Sequence, residues 1–279
     1  MQVLSSNTIS DALLVSIPRL ASILPPDILE ALIAARDRET HERAKIDQLV
    51  LNAQIANEDH VPICQDTGTV WLCLEVGPDI ALNANVFSKV DQSVAAGFIN
   101  SKLRKSVVRD ALFDRTNTGD NTPAFCELRL VDEPGVARLH MMLKGGGSDN
   151  ASRVVMLTPN AGKQGVIDTV LSCVEEKAAN ACPPLVVGVG VGGTFDKVAG
   201  LSKLALMRPL NVAAPDPETA AFEQELLEAI NATGIGAGGL GGDTTALGVR
   251  VKTAPCHIAA LPVAVNMGCS ALRRLTVEL

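Results

Sequence analysis

Residues 62–68 read Pro62-Ile63-Cys64-Gln65-Asp66-Thr67-Gly68. A thiol, an amide, a carboxylate and a hydroxyl stand side by side, entered through a stiff Pro and closed by a turn-forming Gly. Burying such a set without a use for it is costly, so the stretch reads as the centre of an active site. Two further cysteines occupy comparable places, Cys182 before Pro183-Pro184 and Cys269 after Gly268. The three thiols are separated by 118 and 87 residues, which suits a metal centre assembled by the fold. Zinc usually takes a fourth thiolate or imidazole from a short motif such as C-x-x-C, and the sequence has none. A cubane iron–sulfur cluster accepts three thiolates and leaves one iron open. An open iron is a Lewis acid that binds a hydroxyl and a carboxylate and helps hydroxide leave.

Other groups suit an anion. Lys102, Arg104, Lys105 and Arg109 cluster in one segment, which is ordinarily solvated but is also a match for a dianionic substrate. Lys144 precedes Gly145, Gly146 and Gly147, whose backbone N–H groups are free of side-chain obstruction and can approach an anion. Of the seven cysteines, Cys73, Cys126 and Cys173 lie within apolar patterns and read as buried thiols, as does Cys256 beside His257. An odd number of cysteines in a chain of this kind argues against a disulfide framework.

The elements that must position these groups are legible in part. A helix is expected from Pro25-Pro26 to about residue 56, with His41 on its solvated face. Strand 71–76 follows the Cys64 loop, then a helix over 84–104. Strands 125–130 and 136–143 are joined by the turn Asp132-Glu133-Pro134-Gly135. An amphipathic helix covers 166–178, a continuous apolar strand 185–191, a further helix follows Gly192-Gly193-Thr194, and another spans 217–233. Strands 245–252 and 258–265 flank His257. The glycine-rich stretch 234–242 fits neither a dinucleotide fingerprint nor a P-loop. No repeat, linker or composition break appears, so the expectation is a mixed α/β fold in one compact domain, 1–279, with mixed sheets surrounded by helices.

Composition removes several function classes. The chain has a net charge of -7, 3% aromatic residues and no Tyr, which leaves neither a basic patch nor stacking platforms for nucleic acid. No apolar run reaches the roughly 18 residues of a membrane span. The start, Met1-Gln2-Val3-Leu4-Ser5-Ser6, lacks a secretory pattern, and a cytoplasmic location is expected.

Four motifs in order, residues 62–68, Lys144 to Ser148, Cys182-Pro183-Pro184 followed by Val187-Gly188-Val189-Gly190, and Ala254 to Cys269, resemble the α subunit of class I, iron–sulfur-dependent fumarate hydratases. The wider family includes the L-tartrate dehydratase α subunit. The resemblance covers nearly the whole chain and implies a mixed α/β domain holding a [4Fe-4S] cluster. It makes Cys64, Cys182 and Cys269 the cluster ligands. It puts Gln65, Asp66, Arg104, Lys144 and the Gly145–Gly147 backbone at the substrate, with Asp66, Gln65 and His257 in the catalytic set. The implied reaction is reversible dehydration of (S)-malate to fumarate. Such chemistry needs cations and N–H groups for two carboxylates, a base for the proton beside a carboxylate, and donors for the charge that builds when it leaves.

Single-chain members of the family continue into a second domain, whereas this sequence ends ten residues after Cys269. The expectation is therefore an α subunit, inactive alone, completed by a separate β subunit and paired as an α–α dimer within a heterotetramer. Two competing readings stand beside it. One is the L-tartrate dehydratase α subunit, converting tartrate to oxaloacetate. That branch is expected to lack the Lys before the glycines and to carry Cys after them, so Lys144 and Ser148 favour malate. The other is a non-catalytic iron–sulfur or anion-binding subunit, for which Gln65, Asp66, Arg104 and His257 would be superfluous.

Overall fold

The computed structural model describes residues 2–41 and 43–279. The chain is mixed α/β, as its sequence indicates, and divides into two compact units. The first comprises Met1–Pro25, Ala53–Gly146 and Arg273–Leu279; the second comprises Pro26–Asn52 and Gly147–Leu272. The chain passes between them repeatedly, so no linker in the sequence marks a boundary.

In the first unit, β1 (Gln2–Leu4) leads into α1 (Ser6–Ser22). Ser5 caps this helix: its hydroxyl accepts the Thr8 N–H at 3.3 Å, and the Thr8 hydroxyl accepts the Ser5 N–H at 3.4 Å. Ile9, Leu13, Ile17 and Leu20 recur at helical spacing and are buried against the sheet side chains Leu72, Leu74, Leu139 and Met141. The sequence reading missed this helix, whose pattern is interrupted by Pro18. The next helix, α2 (Pro26–Arg38), belongs to the second unit. By length and composition the stretch Ser6–Arg38 would span a membrane. It is two helices, however, broken at Ile23-Leu24-Pro25, and the apolar face of α1 lies in the core.

The expected long helix to residue 56 is likewise two, α2 and α3 (Arg43–Glu58). The interruption has a distant cause. Asp243 accepts the Thr40 N–H at 2.8 Å and the Thr40 hydroxyl at 2.6 Å, while Glu39 accepts the Asp243 N–H at 2.8 Å. These bonds replace the helical ones.

The first unit then builds β2 (Thr69–Val76), β3 (Ile80–Leu82), α4 (Val90–Asn100), β4 (Phe125–Leu130) and β5 (Ala137–Lys144). The helix expected over 84–104 is thus shorter at both ends. The strands 125–130 and 136–143 exist nearly as read, but they do not pair with each other. β2 lies between them, parallel to β4 and antiparallel to β5. The turn sequence redirects the chain across β2 and does not close a hairpin. After the short α5 (Gly146–Asn150), which occupies the place expected for the glycine loop, β6 (Arg153–Leu157) opens the second unit's sheet. It continues through α6 (Gly162–Lys177), β7 (Leu185–Gly193), α7 (Phe195–Ala205), α8 (Pro217–Asn231), β8 (Ala246–Cys256) and β9 (Leu261–Gly268). The last strand, β10 (Arg273–Glu278), returns to the first unit.

The first four-stranded sheet has the order β10-β5-β2-β4 and the second β6-β9-β7-β8; β1 and β3 form a separate parallel pair. β7 explains its apolar run. Val187 and Val189 enter a core with Val170 and Val174 of α6 and Leu226 and Ile230 of α8. Gly188 and Gly190 face the other way, where a β-carbon would collide with the backbone of Ser202 and Val198 on α7. The strand is therefore buried on both faces.

Candidate active site

Strand pairing brings the first polar loop to its partners. Because β2 and β5 are antiparallel and Thr69 lies opposite Lys144, residues before Thr69 and after Lys144 leave the same end of the sheet. Gly68 makes the join. Its φ is 79°, and a β-carbon there would stand 2.6 Å from the Lys144 carbonyl oxygen.

At this corner three donors converge on Asp66. Oδ1 accepts the Gly68 N–H at 3.0 Å and Arg104 Nη2 at 3.4 Å; Oδ2 accepts the Gly146 N–H at 2.8 Å. Gly145 allows the approach, since a β-carbon on it would lie 3.2 Å from Oδ2. The glycine N–H expected to meet an anion therefore meets the carboxylate of Asp66. Gln65 is exposed, and its Oε1 accepts the half-buried Cys64 thiol at 3.4 Å. Lys144 is 2% exposed.

Among the cations at 102–109, Arg104 is the one the structure pairs with Asp66. Two residues fix it there, Thr67 of the 62–68 motif and Asn121, which the sequence reading passed over. The buried Thr67 hydroxyl donates to the Arg104 carbonyl. Asn121, also buried and with φ of 68°, accepts the Ser106 N–H at 2.7 Å and donates to the Gly68 carbonyl at 3.1 Å. Its one sequence signal is a place in the polar run 116–122, where Asn is the side chain best suited to a left-handed turn.

The second unit makes a corner of the same kind from β7 and β9. Val186 lies opposite Gly268, so Cys182 and Cys269 leave the same end of that sheet. The Ser270 N–H donates to the Cys182 carbonyl at 3.0 Å. Cys182 is exposed and has φ of 55°, in the left-handed region that costs a residue with a β-carbon about 1 kcal/mol or more. The glycine stretch 234–242 supports this turn, the Gly238 N–H donating to the Pro183 carbonyl at 2.8 Å. His257 is exposed and sits in the turn after β8, where its Nδ1 accepts the Ala259 N–H at 3.1 Å. That turn is at the opposite end of the sheet, so the length of β9, roughly 25 Å, separates His257 from Cys269. The structure does not bring His257 to the cysteines of its own unit.

None of the seven cysteines is in a disulfide. Cys73 and Cys173 are fully buried, and burial pushes the Cys173 thiol up, which opposes ligation by its thiolate. Cys126 and Cys256 are exposed, contrary to expectation: Cys126 stands on the edge strand β4, and Cys256 ends β8 with its thiol donating to the Ala260 carbonyl. Glu39, His41 and Asp243 also gather near one another. Their atoms hold the α2–α3 break, with His41 Nδ1 at 3.2 Å from Asp243 Oδ1 and the Thr40 bonds holding the Asp243 carboxyl below its ordinary range.

Residues 12–278 match the family described as fumarate hydratase (fumerase). A protein of Methanocaldococcus jannaschii named as a putative L(+)-tartrate dehydratase subunit alpha is 38% identical over 276 residues, 95% of each chain. The L(+)-tartrate dehydratase subunit alpha of Escherichia coli is 34% identical over 260 residues, 91% of this chain and 85% of that one. The corresponding Shigella boydii subunit is 33% identical over 259 residues. The chain belongs to the fumarate hydratase family, on the branch-spanning group of α subunits that includes the L(+)-tartrate dehydratases.

Proposed function

We propose that this protein is the α subunit of an iron–sulfur hydro-lyase that removes water from a 2-hydroxy-dicarboxylate. The observation that carries the reading is the Asp66 carboxylate, braced by the Gly68 and Gly146 N–H groups and by Arg104, one residue from Gln65 and two from Cys64. Asp66 moves the proton on the carbon beside a substrate carboxylate, and its three donors hold the carboxylate in a fixed orientation. Gln65 is free to turn its amide onto the same substrate. Arg104 and Lys144 balance two carboxylates, and the glycine backbone offers further N–H groups as charge builds.

Cys64, Cys182 and Cys269 fit the ligands of a [4Fe-4S] cluster. Each lies in a loop at a sheet end, none is fully buried, and Cys182 keeps its thiol at a backbone angle that favours glycine. When bound, such a cluster supplies a Lewis-acid iron for the departing hydroxyl. His257, at the far end of its sheet from Cys182 and Cys269, suits a role toward a second copy of the chain in an α–α dimer. The relatives' names as α subunits support a β partner that completes the site, within a heterotetramer. The interleaved course of the chain supports treating 1–279 as one functional domain, and seven cysteines outside any disulfide suit the cytoplasm.

The relatives' names favour L(+)-tartrate as substrate, whereas Lys144 and Ser148 favour (S)-malate. Purification with the β partner, anaerobic reconstitution with iron and sulfide, and measurement of both turnovers decide between them. Turnover of one diacid that requires both chains is the expected result. Full activity of this chain alone, or turnover of neither diacid by the pair, would overturn the proposal.

A further inference from the structure

β10 begins at Arg273, which pairs with Leu143, the neighbour of Lys144 on β5. The Arg273 side chain is among the largest fully buried ones, with 1% exposure. Its Nε and Nη1 nevertheless have no hydrogen-bond partner. A guanidinium stays charged, and taking it out of water without a counter-ion costs several kcal/mol. A position of this kind calls for an anion. Where the anion would lie is indicated by Gly145: the point its β-carbon would occupy is 3.7 Å from Arg273 Nη2 and 3.2 Å from Asp66 Oδ2. The guanidinium and the Asp66 carboxylate thus border the same small space. Among the described residues Asp66 makes no hydrogen bond or ion pair with Arg273; its oxygens take Gly68, Gly146 and Arg104 instead.

We infer that Arg273 is a substrate-binding residue that takes one carboxylate of the diacid on the Nε–Nη2 edge of its guanidinium, where Nε is unpartnered and Nη2 faces the Gly145 space. Arg104 meets Asp66 at Oδ1 and remains exposed, while Arg273 lies on the side of Oδ2 and is buried. Two guanidiniums on two sides of one carboxylate match a substrate with a carboxylate at each end and the reacting carbon between. The planar fork suits this better than a lysine would, since it pairs with a carboxylate through two parallel bonds. The neighbouring Arg274 is buried as well but follows the strand alternation to the opposite face.

This inference rests on the reading of the Asp66 corner as a substrate site, and its test separates the two. In the α–β complex, Arg273→Gln is expected to raise KM for L(+)-tartrate and (S)-malate by at least about 30-fold, with the thermal midpoint not lowered and the cluster's visible absorbance unchanged. Arg273→Lys keeps the charge, loses the fork, and should fall between; millimolar guanidinium in the buffer should recover part of the Arg273→Gln loss. Calorimetric titration of either diacid should show the same weakening without turnover. A KM within twofold of wild type in both variants overturns the assignment. So does loss of the absorbance with an unchanged diacid affinity, which would make Arg273 a counter-ion of the cluster. If Arg273→Gln does not fold, the Arg273→Lys KM decides. A wild-type complex that binds and converts neither diacid overturns the substrate-site reading itself, and this inference with it.

Discussion

In the first unit β2 runs parallel to β4 and antiparallel to β5, and β5 is antiparallel to the edge strand β10. In the second, β7 runs parallel to β8 and antiparallel to β9, and β9 is antiparallel to the edge strand β6. The pairing is the same, and so is its consequence: the loop entering the central strand meets the segment leaving its antiparallel neighbour. What the corner holds differs. In the first unit it holds a carboxylate gripped by backbone N–H groups, with cations beside it. In the second it holds two thiols joined through a main-chain bond from Ser270 to Cys182. In the function proposed above, the first corner carries proton transfer, anion binding and the Cys64 ligand, and the second carries the other two thiolate ligands.

The sharpest way to break this division is to exchange losses between the corners. Asp66→Asn should lower kcat about 1,000-fold while leaving the reconstituted absorbance intact. Cys182→Ser should abolish the absorbance and, with it, turnover. Loss of absorbance in Asp66→Asn, or retention in Cys182→Ser, would show that the two corners do not divide the work in this way.

The corners also depend on matched glycines. Gly68→Ala sets a β-carbon 2.6 Å from the Lys144 carbonyl at φ of 79°, and Gly236→Ala collides with the backbone of Gly241 at φ of 67°. Each should cost about 3 kcal/mol in chemical denaturation, from overpacking and left-handed strain together. Their functional signatures should differ, Gly68→Ala acting on turnover through Asp66 and Gly236→Ala on cluster retention through the support beneath Cys182.

The grouping at the first corner was legible because its residues are adjacent: Cys64, Gln65 and Asp66 need no fold to be seen together. β2 and β7 were legible because apolar runs bounded by Gly and Pro have few alternatives. What escaped was set by distant partners. Asp243 breaks a helix some 200 residues earlier in the chain, a bond no local pattern contains. β2 separates strands 125–130 and 136–143 although their connecting turn reads as a hairpin. Arg273-Arg274 reads as an ordinary basic pair near a terminus, and only its pairing with β5 buries it. His257 sits in a motif with Cys269 on one strand pair, yet the strand itself holds them apart.

Each unit also encloses a carboxylate clamped by basic side chains, Glu75 by His140 and Arg138, and Glu223 by Arg208 and Arg250. For Glu75 the hydrogen bond from His140 comes first, followed by the charges of His140, Arg138 and Arg129; together they hold the carboxyl below its ordinary range against the effect of burial. A depressed folded value means that this stabilisation is present above the unfolded Glu value of about 4.3 and is lost as pH falls through the folded one. Glu75→Gln should cost about 2 kcal/mol at neutral pH and should flatten the acid limb of the stability curve below about pH 4.3. An unchanged acid limb would exclude Glu75 as its source.

The smallest expected effect tests why Cys182 is where it is. Its φ of 55° favours glycine, and Cys269 is not among the residues with positive φ. Relief of left-handed strain is worth about 1–2 kcal/mol, against roughly 0.5–1 kcal/mol for the greater unfolded-state freedom of glycine. Cys182→Gly should therefore stabilise the cluster-free chain by up to about 1.5 kcal/mol, while Cys269→Gly, with no such strain to release, should destabilise it. Melting of the two variants without iron separates the cases. A gain at Cys182 would mean that its thiol is held in place against the preference of its own backbone, which a merely structural cysteine has no reason to be. A loss there would leave the turn itself, braced by Gly238 and Ser270, as the sole reason for that angle.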